Sequence, residues 1–264
     1  MIAPLRTLLA ALALAPALAL AAPQKAEVTW YGHAAFVVRT PGGTVLAIDP
    51  WLSNPRAPGK DLADQLPKVD YVLITHGHSD HVGDAVAIGK RTGAKLITSF
   101  ELAQQLVAAG YPAEQAGMET SGNIGGQFQA GDATVIMVPA VHSSGVAGAK
   151  DAPPGYGGNP MGFVIRIKDG PTLYHTGDTD LTQDMKLIPE RYGPVDVLLA
   201  CIGGHFTMDA AGAALAASFV KAKVVVPMHF GTFPLLTGTP QQLEAALKGK
   251  AKVVVLEPGK AQKF

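Results

Sequence analysis

The run Thr75-His76-Gly77-His78-Ser79-Asp80-His81 sets three imidazoles and a carboxylate within six residues, directly after the apolar stretch Tyr71-Val72-Leu73-Ile74. A polar group withdrawn from water without a partner costs about 1–3 kcal/mol, so a chain that crowds four of them together needs a cation to gather them. This restricts the fold, because a buried strand must deliver the run to a polar rim where other donors can meet it. His142 follows Val138-Pro139-Ala140-Val141, His229 follows the apolar run 224–228, and Asp178 follows Thr172-Leu173-Tyr174-His175 at a short distance. Loops at strand ends let distant segments converge without distorting a sheet, and imidazole with carboxylate is the donor set of zinc and similar divalent ions. A lone histidine is more often a hydrogen-bonded structural residue. Five of the eight histidines at strand ends reverse that preference.

The remaining pattern supplies the sheets. From 27 to 49, β-formers alternate around Pro41-Gly42-Gly43, which predicts strands joined by a tight turn. Residues 54–66, with Pro55, Pro58 and Gly59, have no usable period and read as a surface loop. Asp84 is placed to cap a helix through about Arg91, 95–98 reads as a strand, and Ser99 is placed to cap a helix ending near Gly110. Further strands are expected over 133–138, 163–168, 172–175, 195–200, 224–228 and 252–256, with helices near 181–191, 210–220 and 240–247. Strands interleaved with helices imply α/β architecture, with sheets covered by helices. No repeat or linker divides 22–264, which read as one domain.

The first residues depart from this pattern. Arg6 precedes a Leu/Ala run from Leu8 to Leu20, and Ala17, Ala19 and Ala21 fit a small-residue cleavage site. Residues 1–21 therefore read as a signal peptide with Ala22 as the first mature residue, which predicts export to a periplasm or beyond. The run is short for a bilayer span, so no stable membrane span is expected after cleavage. Lysine plus arginine equals aspartate plus glutamate at 21 each, which argues against a nucleic-acid partner and leaves the oligomeric state open. Cys201 is the single cysteine, so no intrachain disulfide can form. At the end of an apolar run it reads as a small buried hydrophobe, with a thiolate ligand as the alternative.

The signature His76 to His81, with His142, Asp178 and His229, resembles that of the metallo-β-lactamase superfamily. The segments Gly32-His33-Ala34-Ala35-Phe36, Asp49-Pro50, Thr176-Gly177-Asp178-Thr179, Ile202-Gly203-Gly204-His205-Phe206-Thr207-Met208 and Pro227-Met228-His229-Phe230 are similar to a branch of metal-dependent hydrolases related to ascorbate-phosphate lactonase. The resemblance implies a four-layer αββα sandwich, two mixed β-sheets flanked by helices. It implies that His76, His78 and His142 hold one divalent ion, that Asp80, His81 and His229 hold a second, and that Asp178 bridges them. Zinc is the expected metal, with manganese or iron as alternatives. Two such ions about 3.5–4 Å apart share a hydroxide, and the expected reaction is hydrolysis of an ester, lactone or phosphoester bond in a small-molecule substrate. Asp80 is also expected to orient the hydroxide, and His205, after Gly203-Gly204, is a candidate proton donor. For His33 and His175 the structural reading is preferred. Asp209 stands where the branch is expected to carry glycine.

Three rival functions use the same residues. Export suggests β-lactam hydrolysis, but the true β-lactamases of the superfamily generally carry cysteine or serine near the position of Asp178. An iron-dependent oxidoreductase would need a redox partner domain that nothing here supplies. A non-catalytic metal-binding protein would not need positions open to water. The glycine-rich stretches Gly122-Asn123-Ile124-Gly125-Gly126 and Gly155-Tyr156-Gly157-Gly158-Asn159 lack the strand-to-helix context of a phosphate loop and read as turns. Arg56 and Lys60 read as solvated charges.

Overall fold

In the computed structural model, which describes residues 24–148 and 152–264, strand Tyr71–Leu73 lies parallel to Val45–Ile48 on one side and to Lys95–Ser99 on the other. Its side chains enter two interiors. Leu73, with Leu46, Ile48 and Ile97, joins the core between two sheets. Val72, with Val45, Ala47 and Leu96, packs instead on a helical layer through Ile88, Leu102 and Leu106. A strand buried on both faces has no polar alternation, which is why 71–74 is an unbroken apolar run. The leader expected over 1–21 lies outside the described residues.

The first sheet has the order Ala261–Lys263, Glu27–Trp30, Phe36–Arg39, Val45–Ile48, Tyr71–Leu73, Lys95–Ser99, Ser121–Gly122. The second runs Lys252–Val253, Val224–Met228, Val197–Cys201, Thr172–His175, Met161–Ile167, Ala133–Pro139, Gln127–Ala130. Each is antiparallel in one half and parallel in the other. Helices Ala85–Thr92 and Phe100–Ala108 cover the first sheet. Ala210–Phe219 and Pro240–Leu247 cover the second, burying Ala213, Ala216 and Ala217 beside Leu243 and Leu247. This is the four-layer αββα sandwich that the resemblance implied. No helix among the described residues is long and apolar enough to cross a membrane.

Several local expectations are corrected. Asp84 stands at the N-terminus of Ala85–Thr92, but its carboxylate accepts from the Ser53 backbone N–H at 3.0 Å rather than from the helix. Ser99 does cap Phe100–Ala108, accepting from the Leu102 N–H. The helix expected over 181–191 divides into a 3-10 turn, Gln183–Lys186, and a helix, Leu187–Tyr192. Pro189, which lacks an N–H and excludes a carbonyl four residues earlier, fits only in a first turn. The loop over 54–66 contains one helical turn, Leu62–Gln65. Only Lys252–Val253 of 252–256 pairs as a strand. Gly155–Tyr156, read as a turn, pairs with Gly145–Val146.

Candidate metal centre

Every candidate ligand leaves the same rim of the sandwich, at the C-terminal ends of its strands. His229 directly follows Val224–Met228 and takes a left-handed backbone, φ 55°. Asp178 follows Thr172–His175 through Gly177, φ 61°, where a Cβ would lie 2.5 Å from the Met161 carbonyl oxygen. The opening run bends into the helical turn Ser79–Val82, which carries Asp80 and His81. Glycine is required within it, because a Cβ on Gly77 would lie 2.7 Å from Val146 Cγ2. The strand Gly145–Val146 thus closes over the run, and Ser144 Oγ accepts from the Gly77 N–H at 3.1 Å.

The structure brings all seven candidate ligands together. His76, His78 and His142 can each offer one donor atom within 4.8 Å of the others, and His33, Asp80, His81 and His229 form a second such group. A third, His76, His81 and Asp178, joins the two. Around zinc, bonds of about 2.0–2.1 Å at tetrahedral angles set donors about 3.3 Å apart. His76 Nε2 and His142 Nε2 lie 3.0 and 3.3 Å from His78 Nδ1. Asp178 Oδ1 lies 3.3 Å from His81 Nε2, while Oδ2 lies 3.0 Å from His229 Nε2 and 3.7 Å from His142 Nε2. His229 Nε2 and Asp80 Oδ2 are 3.9 Å apart. These separations match the edges of metal coordination polyhedra, and a single carboxylate touches imidazoles of both sets.

Unmatched polar atoms supply an independent test of fit. Among the described residues, six buried side-chain polar atoms lack a hydrogen-bond partner, and four of them are His81 Nε2, Asp178 Oδ1 and both ring nitrogens of His229. Buried polar atoms are otherwise almost always paired, so a cation among them accounts for three of the four, His81 Nε2, Asp178 Oδ1 and His229 Nε2. Burial pushes His76 well below the usual histidine range, reinforced by His81, and burial also lowers His78 and His142. They present the neutral imidazoles that ligation requires. Burial opposes charge on Asp178, yet His229 and His81 hold its carboxyl well below the carboxylate range. Burial likewise opposes charge on His81, but Asp178 and Asp49 hold it well above the histidine range. The carboxylates therefore favour positive charge at this point.

A supporting layer sits behind the ligands, and its main member, Asp49, received no role from sequence reasoning. Asp49 is fully buried and accepts from the Thr75 N–H at 2.8 Å, Thr75 Oγ1 at 2.7 Å and His81 Nδ1 at 2.8 Å. This leaves His81 Nε2 facing the centre. His33 is fully buried too, with Nε2 3.0 Å from Asp80 Oδ2 and Nδ1 2.9 Å from Thr232 Oγ1. Burial pulls its pKa down to about 4, against the opposing effect of Asp80. His175 accepts from the Gly177 N–H at Nδ1, so its Nε2 donates to the Ala34 carbonyl at 3.0 Å. It is a core residue that braces the turn before Asp178. His33, Asp49 and His229 are all non-glycine residues with positive φ, a strained backbone of the kind that gathers at functional sites.

The centre opens into a cleft of about 330 Å³ lined by His78, Asp80, His142, Ser143, Asp178, Phe206, His229 and Phe233. His205 is exposed and absent from this lining, its ring edge-on to Phe206 with centroids 4.4 Å apart. Cys201 is fully buried, and burial raises its thiol to about 11, the state of a packed hydrophobe rather than a ligand. Asp209 caps Ala210–Phe219, accepting from the Gly212 N–H at 2.8 Å. Arg56 lies over the Trp30 and Phe230 rings, 5.1 and 4.7 Å from their centroids, and donates to the Phe230 carbonyl. It is a packed residue rather than a freely solvated charge.

Comparison with known proteins gives a consistent family. Residues 44–230 match the family described as Beta-lactamase superfamily domain. A UPF0173 metal-dependent hydrolase of an Anaeromyxobacter species is 71% identical over 92% of this chain and 89% of its own length. One from Archaeoglobus fulgidus is 43% identical over 90% of this chain and 99% of its own. Among solved structures, the metallo hydrolase Igni18 of the hyperthermophilic archaeon Ignicoccus hospitalis superposes with a TM-score of 0.78 at 39% identity, covering 91% of this chain and 98% of that one.

Proposed function

The chain belongs to the beta-lactamase superfamily and is a metal-dependent hydrolase like its UPF0173 relatives; from that premise we propose a two-metal centre cleaving ester, lactone or phosphoester bonds of a small molecule. His76, His78 and His142 hold one ion, and Asp80, His81 and His229 the other. The observation that carries this reading is Asp178, whose oxygens lie 3.0–3.7 Å from imidazoles belonging to both sets. Divalent ions so placed, zinc first and manganese or iron as alternatives, supply Lewis acidity and lower the pKa of a bound water toward neutrality.

The chain's own groups do the positioning. Asp49 pairs with His81 Nδ1 and so turns Nε2 toward the centre, and His33 holds Asp80 through Oδ2. Asp80 lines the cleft, where it can orient water. Residues 1–21 complete the proposal as an export leader, so N-terminal sequencing of the exported protein should begin at Ala22. The central test is elemental analysis with a panel of esters, lactones and phosphodiesters. About two metal equivalents per chain are expected, with turnover lost on chelation and restored by zinc, manganese or iron. One equivalent or fewer in an active protein overturns the two-metal reading, and no turnover in any metal form overturns the proposed reaction.

A further inference from the structure

The walls of the cleft limit what can enter it. Phe206 and Phe233 line the same cleft as the candidate ligands and remain 51% and 37% exposed. Val141, immediately before His142, and Leu235, two residues past Phe233, are 58% and 53% exposed. Singly exposed apolar residues need no explanation. Two phenylalanines on the wall of one polar cleft, with Val141 and Leu235 exposed close by in sequence, give that cleft an apolar side of the kind that marks a binding surface. Phe233 is braced rather than loose: its ring stacks on Trp51 at 6.0 Å between centroids and meets His33 edge-on at 5.6 Å.

Charge narrows the choice further. Among the described residues, no lysine or arginine lines the cleft. Arg56 is committed to two aromatic rings and a backbone carbonyl. Recognition of a phosphate or sulfate ester commonly uses such side chains. Small-molecule sites orient a ligand between apolar walls and fixed polar groups; here Phe206 and Phe233 are the apolar wall and the candidate metal centre supplies the polar groups.

Resting on the hydrolase reading above, we infer that the substrate is an uncharged carboxylic ester or lactone carrying an aryl or medium alkyl group beside the scissile bond, with that group against Phe206 and Phe233. In the reaction the acyl C–O bond breaks, the oxygen of water forms the new bond to the acyl carbon, and one water proton goes to the departing oxygen. An acid and an alcohol result, or a hydroxy acid from a lactone.

The experiment compares 4-nitrophenyl acetate, 4-nitrophenyl butyrate, γ-butyrolactone, γ-decalactone and bis(4-nitrophenyl) phosphate with the metal-loaded protein, Phe206→Ala and Phe233→Ala. The preference for the longer member of each pair in kcat/KM is expected to reach about tenfold, the scale set by a few buried methylenes. Each variant should shrink that ratio while keeping the parent metal content. Binding of the non-hydrolysable ketone 4-phenyl-2-butanone, followed by tryptophan fluorescence, should weaken in both variants. Preference for the phosphodiester, or a ratio unchanged in both variants, overturns the inference and leaves the hydrolase reading standing. An inert panel with ketone binding that weakens in the variants overturns the reaction and keeps the apolar subsite. An inert panel with no ketone binding overturns both.

Discussion

Asp132 opens the strand Ala133–Pro139, whose other end leads to His142, whereas Asp178 sits at the rim where that strand and its neighbours deliver their histidines. Asp132 accepts from Thr40 Oγ1, from Thr44 Oγ1 at 2.8 Å and from the Gly42 N–H at 2.8 Å, tying the turn between Phe36–Arg39 and Val45–Ile48 to the other sheet. Asp178 is more deeply buried, and its Oδ1 has no hydrogen-bond partner. One end of the sandwich closes its polar groups within the protein. At the other, carboxylate and imidazole atoms converge without closing on one another, on a backbone held in left-handed conformations. The same side-chain chemistry thus serves cohesion at one rim and, in the proposed function, metal binding at the other, and what separates them is whether protein donors complete the shell.

Replacing Asp178 puts the largest strain on this comparison. Asp178→Ala is expected to lower kcat/KM by about 10³-fold, the scale of several kcal/mol of lost electrostatic stabilisation, and to reduce bound metal. Steady-state kinetics with elemental analysis would check both. Full metal content and undiminished turnover would show that the carboxylate is as self-contained as Asp132.

Asp49 lies between the two cases, fully satisfied by protein donors yet acting on a candidate ligand. Asp49→Ala frees His81 to change tautomer or rotate, and groups of this kind contribute about 10–100-fold to metal affinity. Competition with a chromophoric chelator should show a loss of that size, with Asp49→Asn retaining part of the affinity. If Asp49→Ala only lowered thermal stability, Asp49 would belong with Asp132 as a cohesive residue.

The cluster of candidate ligands was legible in the sequence because each is a strongly coordinating side chain just beyond an apolar strand, so chemistry and periodicity agree at the same positions. Their supports were not. An aspartate after a strand looks the same whether it faces solvent or, like Asp49, a histidine 32 residues on. His33 met the same obstacle, since its partners Asp80 and Thr232 are brought to it by packing. The edge strand Ala261–Lys263 is wholly exposed and joins Glu27–Thr29 through backbone alone, leaving no side-chain pattern to read. The fold class was legible for the opposite reason, because the doubly buried strands repeat one apolar signal along the chain.

Asp132 gives the smallest and most specific effect. Asp132→Ala leaves the nearly buried hydroxyls of Thr40 and Thr44 without their acceptor, which costs about 1–2 kcal/mol and lowers Tm by a few degrees in a chain of this size. Activity per folded molecule should not change, because the residue lies at the far rim. The carboxyl is held below its ordinary range: burial opposes the charge, but hydrogen bonds from Thr40, Thr44 and the Gly42 backbone outweigh it. A carboxylate with a depressed folded pKa contributes stability that is present above the unfolded value, about 3.9, and is lost as pH falls through the folded value. The group is largely solvated, so the charge-dependent share is well under the full effect of deletion. Differential scanning fluorimetry of chelated wild type and Asp132→Asn should therefore show a Tm gap that is constant near neutrality and narrows below about pH 4. A gap unchanged down to pH 3, or an Asp132→Ala protein that folds normally and loses turnover, would mean that the two rims are not separate in function.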